Sequence, residues 1–396
     1  MSNEGKTCAD VDYTGFELLR FENKCYFELI KQIISVFFLE DRSIIYGKEN
    51  GLNTYLSCGL QLDLSVLLYE SAKHIHLISP QGISDFISTE EFKTLEKVRN
   101  NVHTFFKKGG FVAKSDEIID SNLEKYSLKE YDIFYTLRND ISLVFEILGH
   151  KRQLIGSDYF IQHCLFECNG QEWNGDDYKN FSEYLSSSVK AFANTVDETI
   201  YRLKPLSINE KQPRIELFDY KSVDLFTGSK LSEATAFRLM LILFQISYGT
   251  ILVEEVLTYE SYADDSLWVC FFTKLLAIKY DESIDNLSSL LKYASAEDKS
   301  VLTSNLLSFN FDINNLSARE FARNLRNTIH YQSIEFDPSL LIKKTTRDYI
   351  LAIYLSNTAV KTIDEFKGYA LKMFDEMKTL QAVIRKIMDV DKEYNF

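Results

Sequence analysis

Four prolines in 396 residues, Pro80, Pro205, Pro213 and Pro338, leave the stretches 81–204 and 214–337 free of proline. Proline fixes φ and removes a backbone donor, so long proline-free runs are where helices grow uninterrupted. Glycine is scarce too, at 15 residues. A sandwich or barrel of many short strands needs more turn residues than that, which points to long helices joined by short polar loops. The expected fold class is all-α, mainly helical with minor strand content, the strands falling near 43–55 and 158–169. Apolar-periodic segments at 21–39, 60–76, 178–203, 233–257 and 267–278 are the expected helices.

The length suggests more than one domain. Pro205-Leu-Ser-Ile-Asn-Glu-Lys-Gln-Pro213-Arg214 is polar and bracketed by prolines, so it is the expected linker, residues 206–214, between an N-terminal helical domain (1–205) and a C-terminal one (215–396). The segment 169–177 reads as a further loop. Near the C-terminus Thr362 and Glu365 have capping-box spacing. Phe366, Ala370, Met373, Met377, Leu380, Ile384 and Ile387 then recur at alternating intervals of four and three. That stripe packs either on its own domain or against a partner helix in a dimer.

The 44 basic and 58 acidic residues leave a formal charge of -14, which repels polyanions and disfavours passive coating of nucleic acid. Six dispersed cysteines have no short regular spacing and read as reduced thiols. The longest apolar runs, 33–39 and 239–244, are too short to span a bilayer, and no export signal is visible. A cytoplasmic protein without a membrane partner is expected.

The most informative comparison is internal. Ser88-x-x-Glu91 is followed by Val98-Arg99-Asn100-Asn101-Val102-His103, and Ser317-x-x-Glu320 by Leu325-Arg326-Asn327-Thr328-Ile329-His330. Each stretch reads as a capping box, then an amphipathic helix ending in apolar-Arg-Asn-x-apolar-His. At roughly 100° per residue, Phe321, Leu325, Thr328 and Ile329 share one sector of the second helix, with Arg323, Arg326 and His330 opposite. Arginine offers fixed donors to phosphate oxygens, and histidine titrates near neutrality, so such a face suits a phosphodiester. It also suits a plain salt-bridged surface. In the first copy, Arg99 and His103 lie at the rim of the apolar sector formed by Leu95, Val98, Val102 and Phe106.

The run from Glu320 to Tyr331 resembles the signature helix of the HEPN superfamily, small all-helical domains of prokaryotic toxins, abortive-infection proteins and RNA-cleaving defence systems. The resemblance implies two HEPN-like helical bundles in tandem and metal-independent RNA cleavage, with histidine moving a proton and arginine holding the phosphate. It also implies that two motifs line one cleft. Arg323 leaves six intervening residues before His330, within the family's spacing; Arg326 and Arg99 each leave three before their histidine, one short of it. Leu137-Arg-Asn-Asp-Ile-Ser142 looks like a third echo with serine in the histidine position. His330, Arg323 and Arg326 are thus the expected catalytic residues. Arg99, Asn100, His103, Asn324, Asn327 and Tyr331 are expected as a second site or as support.

Local basic islands, Lys93, Lys97, Arg99, Lys107 and Lys108, then Lys343, Lys344 and Arg347, add modest support for phosphate contact. His163-Cys164 with Cys168, and His74 with His76, lack a full ligand set, so no metal and no cofactor are expected. The acidic pairs Asp176-Asp177 and Asp264-Asp265 read as solvated turns. No phosphate-binding glycine loop, nucleophile elbow or paired-histidine zinc motif occurs. Two functions remain: an endoribonuclease of the HEPN type, with RNA as substrate in antiviral defence, abortive infection or a toxin system; or a non-catalytic helical scaffold or sensor. The latter would dimerise and bind a partner protein, an antitoxin for example, with Arg326 and His330 buried or salt-bridged.

Overall fold

The computed structural model describes residues 8–38, 51–106, 141–148, 151–157, 175–193, 214–220, 231–256, 265–331, 334 and 345–390. These residues form an all-α fold carrying one small sheet. In chain order the helices are α1 (Cys8–Phe38), α2 (Gly51–Ile78), α3 (Pro80–Ile87), α4 (Glu90–Phe106), α5 (Gly175–Ala193), α6 (Glu233–Val256), α7 (Ser266–Tyr293), α8 (Ala296–Ser308), α9 (Arg319–Asn327), α10 (Thr346–Thr358) and α11 (Ile363–Met388). The strands are β1 (Ile141–Leu148), β2 (Lys151–Ser157) and β3 (Arg214–Tyr220). They pair antiparallel in the order β2-β1-β3.

The strands do not lie where expected. Residues 51–55 open α2 instead, and 43–50 and 158–169 are outside the described residues. The central strand β1 is Ile-Ser-Leu-Val-Phe-Glu-Ile-Leu, a run rich in β-branched and aromatic residues within the first proline-free stretch. Low proline permits helices without excluding a hairpin. Arg214, assigned to the linker, pairs with Ile147 as the first residue of β3. Residues 206–213 are outside the described residues, as are Arg138 and Asn139 of the third echo, whose Ile141 and Ser142 are extended. The loop expected at 169–177 gives way to α5 from Gly175, placing Asp176 and Asp177 in its first turn.

Helix starts follow side-chain chemistry. Thr362 caps α11 by accepting from the Glu365 amide, and the Glu365 carboxylate accepts in return from the Lys361 amide. Asp265, far from solvated, is buried, accepts from the Leu267 amide to cap α7, and pairs with Arg347 at 2.7 Å. Neither expected Ser-x-x-Glu box forms. Thr89, one residue later, caps α4 through the Phe92 amide, while Ser88 donates to the Asp85 carbonyl. At α9 the Ser317 amide and hydroxyl both donate to Glu376 of α11, so a distant carboxylate anchors this helix start.

Every member of the α11 stripe, from Phe366 to Ile387, is buried in the protein's own core. Buried residues from both sides of 206–214 join in one continuous cluster running from Leu18 to Val390. At its centre the Glu22 carboxylate accepts from Lys274 at 2.6 and 2.7 Å and from the hydroxyls of Tyr331 and Tyr354 at 2.7 Å. A buried charge needs such complete pairing. Gln381 donates to Gln153 of β2 and to Ser247 of α6, which ties the sheet to the helices. No helix among the described residues is long and apolar enough to cross a membrane.

Candidate functional site

On α9 the apolar side turns inward as its sequence demands: Phe321, Ala322, Leu325 and Thr328 are buried. Phe321 stacks on Tyr369 and meets Phe366 edge-on. Arg319, Arg323 and Arg326 therefore leave the other side as a ladder facing α7. Regular helix stops at Asn327, three residues short of His330. Thr328, Ile329 and His330 then donate to the carbonyls of Leu325, Arg326 and Asn327, a tightening to i, i+3 bonds. The Thr328 hydroxyl takes the Leu325 carbonyl at 2.7 Å and competes with helix continuation. His330 thus sits on a turn packed over α2, not on a straight helix.

Glu70 of α2 is the acid that meets this histidine. Its Oε1 accepts from Arg99 Nη2 at 2.8 Å and its Oε2 lies 3.3 Å from His330 Nδ1. One carboxylate, 4% exposed, thereby joins the two Arg-Asn-x-x-His motifs. Burial alone pushes the Glu70 carboxyl up, but the His330 and Arg99 contacts outweigh it and hold it below its usual range. An ionised carboxylate can only accept, so His330 Nδ1 is the donor in this pair. The His330 side chain remains 44% exposed.

The copies match in local detail. Arg99 and Arg326 each donate to Oδ1 of the following asparagine, Asn100 or Asn327, at 3.2 Å. Arg99 also lies over the Tyr69 ring. His103 belongs to α4, but its side chain is outside the described residues.

Acidic residues of α7 answer the arginine ladder. Arg319 Nη2 reaches Asp285 at 3.2 Å, Arg326 Nη1 reaches Asp281 at 3.2 Å, and Arg323 Nε lies 4.0 Å from Asp281. Asp281 is fully buried, and neither of its carboxylate oxygens makes a hydrogen bond. Burial raises its carboxyl despite the neighbouring guanidiniums. Charge holds Arg323 and Arg326 here without an aligned fork, and Arg323 is 51% exposed. Both can turn toward a phosphate without giving up a hydrogen bond to Asp281.

The remaining expected residues divide. Asn324 is half-buried and Asn327 exposed beside the arginines, whereas Tyr331 is in the core on Glu22. His74 is buried against Tyr331, whereas His76 is exposed. Of the basic islands, Lys93 pairs with Glu90 and Arg347 with Asp265; Lys107, Lys108, Lys343 and Lys344 are outside the described residues. So is the group at 163–168. Sequence reasoning missed Glu70, Asp281, Asp285 and Arg319. Arg319 was legible, standing four residues before Arg323 on the same face. The carboxylates were not, since no local spacing connects Glu70 to a histidine 260 residues away.

Comparison with family models, curated proteins and solved structures gives no match. The class of protein is thus defined by the fold and site alone: a helical protein in which two motif helices meet at a shared carboxylate beside an arginine ladder.

Proposed function

We propose that this protein is a metal-independent endoribonuclease of the HEPN type, acting in antiviral defence, abortive infection or a toxin system. One observation carries the reading: both Arg-Asn-x-x-His motifs converge on Glu70, through Arg99 of one and the half-exposed His330 of the other. His330 moves the proton while the RNA 2′-hydroxyl attacks phosphorus and the bond to the 5′-oxygen breaks. The proton lost by the 2′-hydroxyl is balanced by the one gained at the 5′-oxygen. A 2′,3′-cyclic phosphate and a 5′-hydroxyl result, with no redox partner required. Arg323 and Arg326 hold the non-bridging oxygens, and Glu70 with Arg99 keeps the imidazole oriented.

A cell-based comparison tests this reading. Induced expression of the parent should halt growth and fragment RNA, and His330→Ala at equal abundance should do neither. Equal toxicity and fragmentation from both chains would overturn it. The scaffold reading keeps one supporting observation, that Arg99, Arg319, Arg323, Arg326 and His330 each have a carboxylate partner. It predicts intact RNA in both cultures, with both chains retaining a bound protein.

A further inference from the structure

Beyond the Glu70 centre, α7 and α9 enclose a cleft of about 450 Å³ lined by Asp285, Ser288, Ser289, Lys292, Tyr293, Arg319 and Arg323. That volume is in the range of small-molecule sites. Its charge runs against that of the chain. Three cations face one carboxylate, a local excess of two positive charges on a molecule of formal charge -14. Asp285 is already engaged by Arg319 at 3.2 Å. Lys292 and Tyr293 are exposed, with the ammonium over the ring at 4.9 Å, and Lys292 has no carboxylate partner among the described residues.

A second observation points to a ligand. Ser289 is 8% exposed, and its Oγ is buried with no hydrogen-bond partner. The neighbouring Ser288 instead satisfies its hydroxyl on the Ile284 carbonyl, the ordinary solution in a helix. Arg319 Nε is likewise buried and unpartnered. Buried polar groups without partners are uncommon and call for an explanation. Ser289 and Arg319, the residues that carry them, both line the cationic cleft.

We infer that this cleft binds a terminal phosphate monoester, with Lys292 and Arg319 on the dianion, Arg323 shared between it and the scissile phosphate, and the Ser289 hydroxyl, once turned out of its buried position, as an added donor. Two positive charges in excess match a dianion better than the single charge of an internal diester. The phosphate belongs either to a free nucleotide or to the 5′ end of an RNA chain. The site stands whether or not His330 cuts RNA.

Binding of AMP, a 5′-phosphorylated oligonucleotide and its 5′-hydroxyl counterpart to the full chain, measured calorimetrically at low salt, tests the proposal. Both phosphorylated probes should bind, or the oligonucleotide alone if the end of a chain is required, and the 5′-hydroxyl probe should bind more weakly. Lys292→Gln should weaken binding about tenfold, the cost of losing one charge-assisted contact, while Lys299→Gln on α8 leaves it unchanged. Ser289→Ala should also weaken binding without lowering the unfolding temperature of the ligand-free protein, since it removes a hydroxyl with no partner. Absence of binding by the parent at millimolar probe would overturn the proposal. So would equal losses in Lys292→Gln and Lys299→Gln, or equal affinity for the 5′-phosphate and 5′-hydroxyl oligonucleotides. Failure of RNA cleavage with retained AMP binding would remove the nuclease reading and leave this site intact.

Discussion

Gly15 shows how closely the site's turn is packed. A Cβ added there would lie 2.2 Å from the Tyr331 carbonyl oxygen and 3.0 Å from His74 Cε1, so α1 presses directly on the residue after His330. Gly15→Ala should therefore destabilise the protein by about 1–3 kcal/mol, as overpacking does, measured by urea unfolding. An unchanged midpoint would show that the turn yields. Glu70 is the second critical residue. Glu70→Gln removes the charge that joins Arg99 and His330, and should slow RNA cleavage about 100-fold while leaving far-UV circular dichroism unchanged. The common side of Arg323 and Arg326 was legible from spacing because a helical face is a local property, whereas the turn that carries His330 was not. Nor were the carboxylate partners, because packing of distant helices decides which acid meets which base.

At the scale of elements, two helix details make reciprocal predictions. Gly368 lies inside α11 with nothing within 4 Å of an added Cβ, whereas Ala359 ends α10 in the left-handed region at φ 58°. Gly368→Ala and Ala359→Gly should each stabilise by about 0.5–1 kcal/mol, the first by lowering unfolded-state entropy and the second by relieving strain. Thermal unfolding of the two variants measures both effects. The α11 stripe and the capping box at Thr362 were readable because periodicity and cap agree over many residues. The box at Ser317 misled. Its sequence pattern is satisfied locally, yet Glu376 lies close enough to take both Ser317 donors. The three strands were hidden for a similar reason, since a short apolar run fits a buried helix or a strand until its partners are known.

For the whole molecule, the Glu22 network and the shared core couple residues on both sides of the 206–214 segment. Denaturant unfolding should therefore follow one transition by circular dichroism and by tryptophan fluorescence; two separated transitions would indicate independently stable units. Glu22→Gln leaves the Lys274 ammonium buried without a countercharge and should cost about 3–5 kcal/mol.

Acid sensitivity follows from two carboxyls held below their usual range. Burial raises both, but His330 and Arg99 overcome this at Glu70, as do the Ser232, Thr235 and Ser295 donors at Asp298. A depressed folded pKa contributes stability above the unfolded value that is lost as pH falls through the folded one. The share of stability that Glu70 and Asp298 contribute should thus hold near neutrality and fall as pH drops below the ordinary carboxyl values of 4.5 and 3.8. Glu70→Gln should flatten part of that fall.

The central claim, that His330 held by Glu70 moves a proton in RNA cleavage, is tested most directly by incubating purified protein with RNA in EDTA and analysing the new ends. The parent is predicted to give 2′,3′-cyclic phosphate and 5′-hydroxyl ends, and a folded His330→Ala variant to be slower by about 100-fold or more. Equal cleavage by both chains, or intact RNA with the parent both in EDTA and on induction in cells, would contradict the account.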